Sequence, residues 1–245
     1  MIETQHLSKK FGELTALNDI SFKLDGGVLG ICGEKGSGKS TLLSIIAGVL
    51  PTTDGKVLIF DSELPKDAIS RAKLVGYLDQ NAPVFNEMTP CEFLMFVGEA
   101  KKIPYEKLFK QVNEVIELTE LTSLKDTYIE HLGFGERKIL GIAATLLGNP
   151  KVVVLDTPLI GLNPHELSTI KSIIKMLGEI KTVVISSRSV LEVADLCSKV
   201  AFLSNGELLA FASPDELAEM EDKESVEIEE EIDENTDESL EEEVE

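Results

Sequence analysis

The chain has 245 residues, 43% of them hydrophobic, and a formal net charge of −21. Residues 219–245 hold 16 of the 44 acidic residues and one of the 23 basic residues, so this stretch alone has a charge of −15. The rest of the chain holds 28 acidic and 22 basic residues, so its charge of −6 is an ordinary value, and we expect no nucleic-acid partner.

The acidic end of the chain has too few apolar residues to offset the entropy lost on ordering, so we expect a disordered tail at residues 219–245. A solvated tail is the first interpretation, and a docking or regulatory tail is the alternative. The first residues are not typical of a secretory signal, and no run reaches the roughly 20 apolar residues of a spanning helix. We therefore expect a cytoplasmic protein that meets a membrane only through a partner.

Along the rest of the chain, short apolar runs alternate with amphipathic stretches. The runs at 152–155 and 182–185 are continuously apolar and rich in β-branched residues, which is typical of strands buried on both faces. The pattern predicts strands at residues 2–7, 20–24, 28–32, 56–60, 74–78, 152–155, 182–186 and 200–203. It predicts helices at residues 39–49, 91–102, 105–118, 135–147, 164–177 and 190–197.

This order of elements predicts an α/β fold with a mostly parallel sheet, in which the first strands form an antiparallel edge layer. Residues 85–148 interrupt the alternation, because three amphipathic helices follow one another there. Pro90 and Pro104 stand at the starts of two of these helices. We interpret residues 85–148 as a helical subdomain inserted between two strands of the core.

A glycine-rich segment follows the strand at 28–32 and opens the helix at 39–49, which is the setting of a phosphate-binding loop, or P-loop. Its glycines permit positive φ and a close approach of the backbone, so that N–H groups and the helix dipole face a phosphate. We expect Lys39 to reach the β- and γ-phosphates and the Ser40 hydroxyl to hold Mg²⁺. The residues assigned to phosphate binding are Gly33, Glu34, Lys35, Gly36, Ser37, Gly38, Lys39, Ser40 and Thr41.

A metal in a P-loop site also needs a carboxylate at the end of a neighbouring strand. Asp156 directly follows the apolar strand at 152–155 and meets this requirement. An aspartate at a strand end is often only a turn former, but the P-loop upstream favours metal coordination. These features together predict a P-loop NTPase core.

The order and spacing of several further motifs resemble the ATP-binding subunit of an ABC transporter, from Ile2 to about Ala218. This stretch, residues 1–218, is expected to be one nucleotide-binding domain. The motifs that carry the resemblance are Lys9-Lys10-Phe11-Gly12 (A-loop), Tyr77-Leu78-Asp79-Gln80 (Q-loop), Leu132-Gly133-Phe134-Gly135-Glu136 (signature), Gly161-Leu162-Asn163-Pro164 (D-loop) and Ser186-Ser187-Arg188 (switch loop).

The resemblance implies ATP and Mg²⁺ as cofactors and assigns roles to single residues. Phe11 would stack on adenine, and Gln80 would touch Mg²⁺ and the attacking water. Gly133 and Gly135 would belong to the signature that closes over ATP bound to a second subunit. The implied partners are that second nucleotide-binding subunit, in a homodimer or heterodimer, and a membrane permease. The protein would then lie at the cytoplasmic face of the cell membrane.

Two stretches, residues 26–30 and 88–94, look most like exporters of drugs, peptides and antibiotics. The leading hypothesis is therefore an ATP-binding subunit of an ABC exporter. A soluble ATP-sensing regulatory protein, whose acidic tail docks a partner, is the alternative. A GTPase is disfavoured because the chain has no Asn-Lys-x-Asp motif for reading the base.

The sequence departs from the family pattern at the positions that act in hydrolysis. Thr157 replaces the glutamate after the strand aspartate, and threonine has no group that takes up a proton near neutrality. Arg188 replaces the switch histidine, and Gly133 and Phe134 replace a serine and a glycine of the signature. We therefore expect Mg-ATP to be bound and turned over poorly. The alternative is a family variant that still hydrolyses ATP through Gln80 and bound water.

Overall fold

The structure, a computed structural model, describes residues 1–82 and 84–217; the acidic tail predicted at 219–245 lies outside these ranges. The strands are β1 (Ile2–Phe11), β2 (Leu14–Leu24), β3 (Val28–Cys32), β4 (Asp54–Ile59), β5 (Ser62–Glu63), β6 (Val75–Leu78), β7 (Val152–Leu155), β8 (Thr182–Ser187), β9 (Lys199–Ser204) and β10 (Glu207–Ala212). The helices are α1 (Lys39–Ile46), α2 (Ala68–Leu74), α3 (Pro90–Ala100), α4 (Tyr105–Leu118), α5 (Phe134–Leu146) and α6 (Pro164–Ile180).

The central sheet has the strand order β10-β9-β3-β8-β7-β6, and all neighbours in it are parallel except β10, which is antiparallel to β9. Every residue of β3, β7 and β8 is buried, because both faces of the sheet are covered. This arrangement confirms the predicted α/β fold with a mostly parallel sheet.

A second sheet, with the order β2-β1-β4-β5, is antiparallel throughout and forms the predicted edge layer. The segment predicted as a strand at 56–60 pairs with β1 in this sheet.

Alternate residues of the central strands point to opposite faces of the sheet and pack in two different hydrophobic cores. Leu29 and Ile31 pack with α1 and the antiparallel layer, whereas Val28 and Cys32 pack on the opposite face with the helices.

Helices α3, α4 and α5 follow one another in the chain between β6 and β7, and their apolar faces share one core. Helix α3 begins with a capping box, in which the Thr89 hydroxyl accepts from the Glu92 N–H and Glu92 accepts from the Thr89 N–H. Pro90 occupies the first turn, as predicted. None of the helices in the described ranges combines the length and hydrophobicity that crossing a bilayer requires.

The helix predicted at 190–197 is wrong, because this segment forms successive turns. The Val193 N–H donates to the Val190 carbonyl and the Leu196 N–H to the Val193 carbonyl, which are bonds of tight turns. The Ser189 hydroxyl also accepts from the Leu191 N–H and offers the backbone an alternative to a helix. Elements that the pattern missed are α2, β5 and β10.

Candidate nucleotide site

The predicted P-loop connects β3 to α1 and has the backbone that its glycines permit. Gly33 has φ +144°, and a Cβ atom there would lie 2.1 Å from the Leu203 carbonyl oxygen. Gly38 has φ +99°, and its Cβ atom would lie 2.7 Å from the Ala16 carbonyl oxygen. Any larger residue at either position would displace the loop from the strands that it packs against.

The Lys39 side chain lies along the loop that precedes it. Its ammonium donates to the carbonyl oxygens of Gly33 and Glu34, each at 2.6 Å, and to the Ser37 hydroxyl at 3.3 Å. Lys39 is buried, and this burial is the main cause that lowers its pKa. The charge of Lys39 is therefore held at the base of the loop by main-chain dipoles.

A tight turn between β9 and β10 supports the loop and was missed in the sequence. Asn205 and Gly206 have φ values of 48° and 81°, as in a two-residue hairpin. The Gly206 N–H donates to the Ser37 carbonyl at 3.2 Å, and the Gly206 carbonyl accepts from the Asn18 N–H at 2.8 Å. The Asn-Gly dipeptide was the signal that predicts such a hairpin.

A cavity of about 670 Å³ opens over the P-loop and brings together residues from distant parts of the chain. Predicted site residues that line it are Phe11, Lys35, Gly36, Gly38, Lys39, Ser40, Thr41, Gln80, Thr157 and Arg188. Lining residues that the motifs did not indicate are Leu14, Thr15, Ala16, Asn205 and Gly206. Phe11 is 46% exposed at the end of β1, where the Lys9 ammonium lies 5.0 Å from the centre of its ring.

Asp156 is buried at the end of β7, beside the cavity rather than in its lining. Its carboxylate accepts a hydrogen bond of 2.5 Å from the Ser186 hydroxyl. The same hydroxyl accepts from the Thr157 N–H at 2.8 Å. Ser186 thus joins β8 to the two residues that follow β7, a role that the sequence did not suggest.

Thr157 has an unusual backbone for a β-branched residue, because its φ is +49°. Two hydrogen bonds hold it: its N–H donates to Ser186, and its carbonyl accepts from the Lys138 ammonium at 2.9 Å. Lys138 also donates to the Ile160 carbonyl at 2.7 Å, and burial lowers its pKa. A lysine of α5 therefore fixes the loop that leads from β7 towards α6.

The predicted signature residues lie away from this cavity, at the start of α5. The Gly133 N–H donates to the Glu136 carboxylate at 2.7 Å and caps the helix. A Cβ atom on Gly135 would lie 2.2 Å from the carboxyl carbon of Glu166, so a larger residue there would have to displace the Glu166 side chain. The Phe134 ring is 61% exposed, and the Lys138 ammonium lies 5.1 Å from its centre.

The oxygen donors near the P-loop are chemically suited to Mg²⁺, which keeps few protein ligands and binds phosphate oxygens. Ser40 and Gln80 line the cavity, and Asp156 is buried and lines a second groove together with Gln80. Within residues 1–82 and 84–217, no cluster of three or more His, Cys, Asp or Glu side chains is placed to hold a metal.

A second groove, of about 720 Å³, is lined by residues of α2, β6, α3 and α5. Gln80 lines both this groove and the cavity over the P-loop. Phe93, Val97 and Phe134 contribute apolar surface to the groove. The groove between the helices of residues 85–148 and the central sheet thus shares one lining residue, Gln80, with the P-loop cavity.

A strand, a glycine loop and a helix, with a buried aspartate after a neighbouring parallel strand, define a P-loop nucleotide-binding domain. The sequence profile of the ABC transporter family matches residues 17–160, more than half of the chain, and the chain belongs to that family. It is a nucleotide-binding domain of the ABC type, as the motifs predicted.

Relatives of the chain include proteins named for export, resistance and import. LptB of Escherichia coli, a lipopolysaccharide export system ATP-binding protein, is 30% identical over 226 residues, which cover 90% of this chain and 93% of LptB. LnrL of Bacillus subtilis, a linearmycin resistance ATP-binding protein, is 28% identical over 89% of this chain and 70% of LnrL. CysA of Nitrosomonas europaea, a sulfate/thiosulfate import ATP-binding protein, is 33% identical over 89% of this chain and 62% of CysA.

Solved structures of ABC cassettes share the fold. MJ1267, an ATP-binding cassette of an ABC transporter, superposes with a TM-score of 0.81 at 25% identity, over 93% of this chain and 98% of that one. CbiO1 from Clostridium perfringens, part of the CbiONQ transporter complex, superposes with a TM-score of 0.78 at 26% identity, over 93% and 94% of the two chains.

Proposed function

We propose that this chain is the ATP-binding subunit of a membrane exporter, and that it binds Mg-ATP at the P-loop but hydrolyses it slowly. The observation that carries the proposal is the cavity that joins Phe11, the P-loop, Gln80, Thr157 and Arg188. In this account residues 1–218 form the nucleotide-binding domain, with residues 85–148 as its helical subdomain.

Each part of the cavity suits one part of ATP. The exposed ring of Phe11 offers a face on which adenine stacks. The N-terminus of α1, whose Gly38 cap has no side-chain partner, offers free N–H groups to the β-phosphate. The Lys39 ammonium contacts two loop carbonyls in the structure and would rotate to contact the phosphates when ATP binds. Bound Mg²⁺ would neutralise phosphate charge, held by Ser40, Gln80 and Asp156.

Slow hydrolysis follows from what the described residues around the γ-phosphate position lack. Thr157 has no carboxylate that accepts a proton from water, and its N–H and carbonyl are engaged by Ser186 and Lys138. Arg188 is a permanent cation and cannot accept a hydrogen bond. The signature segment supports the same conclusion, because Phe134 presents an exposed ring where a phosphate-binding backbone is expected.

Two surfaces suit the partners of such a subunit. The groove beside α3 and α5 meets the P-loop cavity at Gln80, so a permease segment seated there would sense the nucleotide. The degenerate signature favours a heterodimer, because an intact partner would supply an unaltered signature to the site at this P-loop. Export as the direction rests on residues 26–30 and 88–94 and on the names of LptB and LnrL. In this account the subunit lies at the cytoplasmic face of the membrane.

Nucleotide titration and co-purification test the proposal. Isothermal titration of the purified chain is expected to give saturable ATP binding, and Lys39→Ala is expected to weaken it by at least about tenfold, because one charge-assisted contact is lost.

Pull-down from solubilised membranes is expected to recover a protein with several membrane spans. Recovery of soluble partners alone would favour the ATP-sensing alternative, and absence of ATP binding would refute both.

A further inference from the structure

A chain of hydrogen bonds connects helix α1 to the turn that contains Gln80. The Tyr77 hydroxyl, on β6, lies 3.1 Å from the Ser44 hydroxyl of α1 and donates to the Asp79 carboxylate at 3.2 Å. Because a carboxylate only accepts, the Tyr77 proton goes to Asp79, and the Ser44 hydroxyl donates to Tyr77. One tyrosine oxygen therefore joins α1 to the edge strand of the central sheet.

The Asp79 side chain also shapes the turn that follows β6. Its other carboxylate oxygen accepts from the Asn81 N–H at 2.8 Å, and the Asp79 carbonyl accepts from the Ala82 N–H at 3.1 Å. These are the bonds of an Asx turn within a β-turn, and Gln80 is the second residue of that β-turn. The Tyr77 hydroxyl thus acts on the backbone of Gln80 through Asp79.

The surroundings of Tyr77 keep this donor in place. The residue is half-buried and packs against the core that α1 shares with the antiparallel sheet. Burial raises the pKa of the Tyr77 hydroxyl to about 12, so the hydroxyl keeps its proton and remains a donor. Asp79 is exposed, so its contact with Tyr77 orients the carboxylate rather than compensating for burial.

The other end of the chain of hydrogen bonds lies one helical turn from the P-loop. Ser40 and Ser44 are four residues apart on α1 and therefore lie on the same face of the helix. Ser40 and Gln80 line the cavity over the P-loop, and both are proposed ligands of Mg²⁺. The contacts of Tyr77 thus connect the two elements that carry these ligands.

Building on the proposed function, we infer that Tyr77 is a positioning residue for Mg-ATP, whose hydroxyl fixes the position of Gln80 relative to Ser40. It acts through Asp79 and Ser44 and is not among the described residues that line the P-loop cavity. Loss of the hydroxyl therefore leaves the contacts between the P-loop and the phosphates intact and weakens the contact made through the metal.

Calorimetric titrations of ATP in excess MgCl₂ and in excess EDTA separate this role from a general structural one. Tyr77→Phe is expected to weaken Mg-ATP binding by about three- to tenfold, because one hydrogen bond is lost, and to change metal-free ATP binding by less than about twofold. Tyr105→Phe, which removes an exposed hydroxyl of α4 outside the cavity, is the matched control and should leave both titrations unchanged.

Variants of Asp79 test the path between Tyr77 and Gln80. Asp79→Ala is expected to reproduce the loss seen only with Mg²⁺, and adding Tyr77→Phe to it should cost less than about twofold more, since both changes remove the same contact. Asp79→Asn keeps an oxygen for the Asn81 N–H and an amide that donates to the Tyr77 hydroxyl, so Mg-ATP affinity should stay within about twofold of the unmodified chain. Because Asp79 is exposed, these variants keep the test valid if Tyr77→Phe does not fold.

The outcomes distinguish the inference from the proposed function. Equal losses of ATP affinity with and without Mg²⁺ on Tyr77→Phe would show a structural role and overturn the inference. An unchanged Mg-ATP affinity on Tyr77→Phe would overturn it too, and either result leaves the proposed function intact. Absence of ATP binding by the unmodified chain in both conditions rejects the proposed function itself.

Discussion

The hydroxyl of Ser186 donates a hydrogen bond of 2.5 Å to the carboxylate of Asp156 at the end of the neighbouring strand. Because the same oxygen accepts from the Thr157 N–H, one buried side chain orients an acid and stabilises a left-handed backbone. The proposed metal ligand and the residue that replaces the family's glutamate are therefore positioned by the same hydroxyl.

Replacing Ser186 by alanine is expected to lower the free energy of unfolding by about 1–3 kcal/mol, because two buried polar groups lose their partner. Urea denaturation followed by circular dichroism measures the change. Ser189→Ala, which removes a hydroxyl from a turn, is the comparison and should cost less. If Ser186→Ala unfolded at the same urea concentration as the unmodified chain, the bridging role would be wrong.

Lys138→Met is expected to destabilise the chain by about 1–3 kcal/mol, since the carbonyls of Thr157 and Ile160 lose a charged donor. Methionine retains the length of the side chain but cannot donate. Lys138→Arg should recover part of the lost stability. Lys175→Met, which replaces an exposed lysine on α6, should leave the stability unchanged. Equal stability of the Lys138→Met and Lys175→Met variants would contradict this account of the loop.

Stability is expected to rise with pH above about 8 because of Lys101. Its ammonium donates to three main-chain carbonyls, those of Ala144, Thr145 and Leu147, and burial lowers its pKa to about 8. The unfolded chain keeps this proton up to higher pH than the folded chain does, so unfolding becomes harder as pH rises between these two pKa values. The gain is on the order of 1–3 kcal/mol.

Urea midpoints measured at pH values from about 7 to 9.5 test the sign of this effect. Lys101→Met removes the titrating group and should flatten the dependence in that range. If stability falls with pH in the unmodified chain, or if Lys101→Met leaves the slope of stability against pH unchanged, burial of the Lys101 charge does not control the pH dependence of stability.

Phe11→Ala is expected to weaken ATP binding by about 1–3 kcal/mol, the usual value of one aromatic ring stacked on a base. Phe11→Tyr should retain most of the affinity. Phe109→Ala, which removes an exposed ring of α4 remote from the cavity, serves as the control. Fluorescent nucleotide titration measures all three, and an unchanged affinity on Phe11→Ala would mean that adenine lies elsewhere.

The sequence predicted those parts of the site that are continuous in the chain or carry a strong local pattern. The buried strand β3, its glycine loop and the start of α1 were located correctly, because hydrophobic runs and glycines act at short range. Phe11, Gln80, Thr157 and Arg188 were found through family motifs and meet in one cavity.

Contacts between segments that are distant in the chain left no such local pattern in the sequence. Ser186 was seen only as part of a motif, and its hydrogen bonds depend on the pairing of β7 with β8. Lys138 was not singled out, since a lysine in an amphipathic helix is usually exposed. The turns at 190–197 were mistaken for a helix because the apolar spacing was helical while the serines nearby favoured turns.

The steady-state ATPase rate of the purified chain, measured beside its Thr157→Glu variant, tests the central claim most directly. Loss of a positioned base costs on the order of 10²–10⁴ in rate, so we predict turnover below about 0.1 s⁻¹ for the unmodified chain and a rise of at least about tenfold for the variant. Lys39→Ala gives the background of the assay. Turnover of about 1 s⁻¹ or more by the unmodified chain, abolished by Lys39→Ala, would contradict the account.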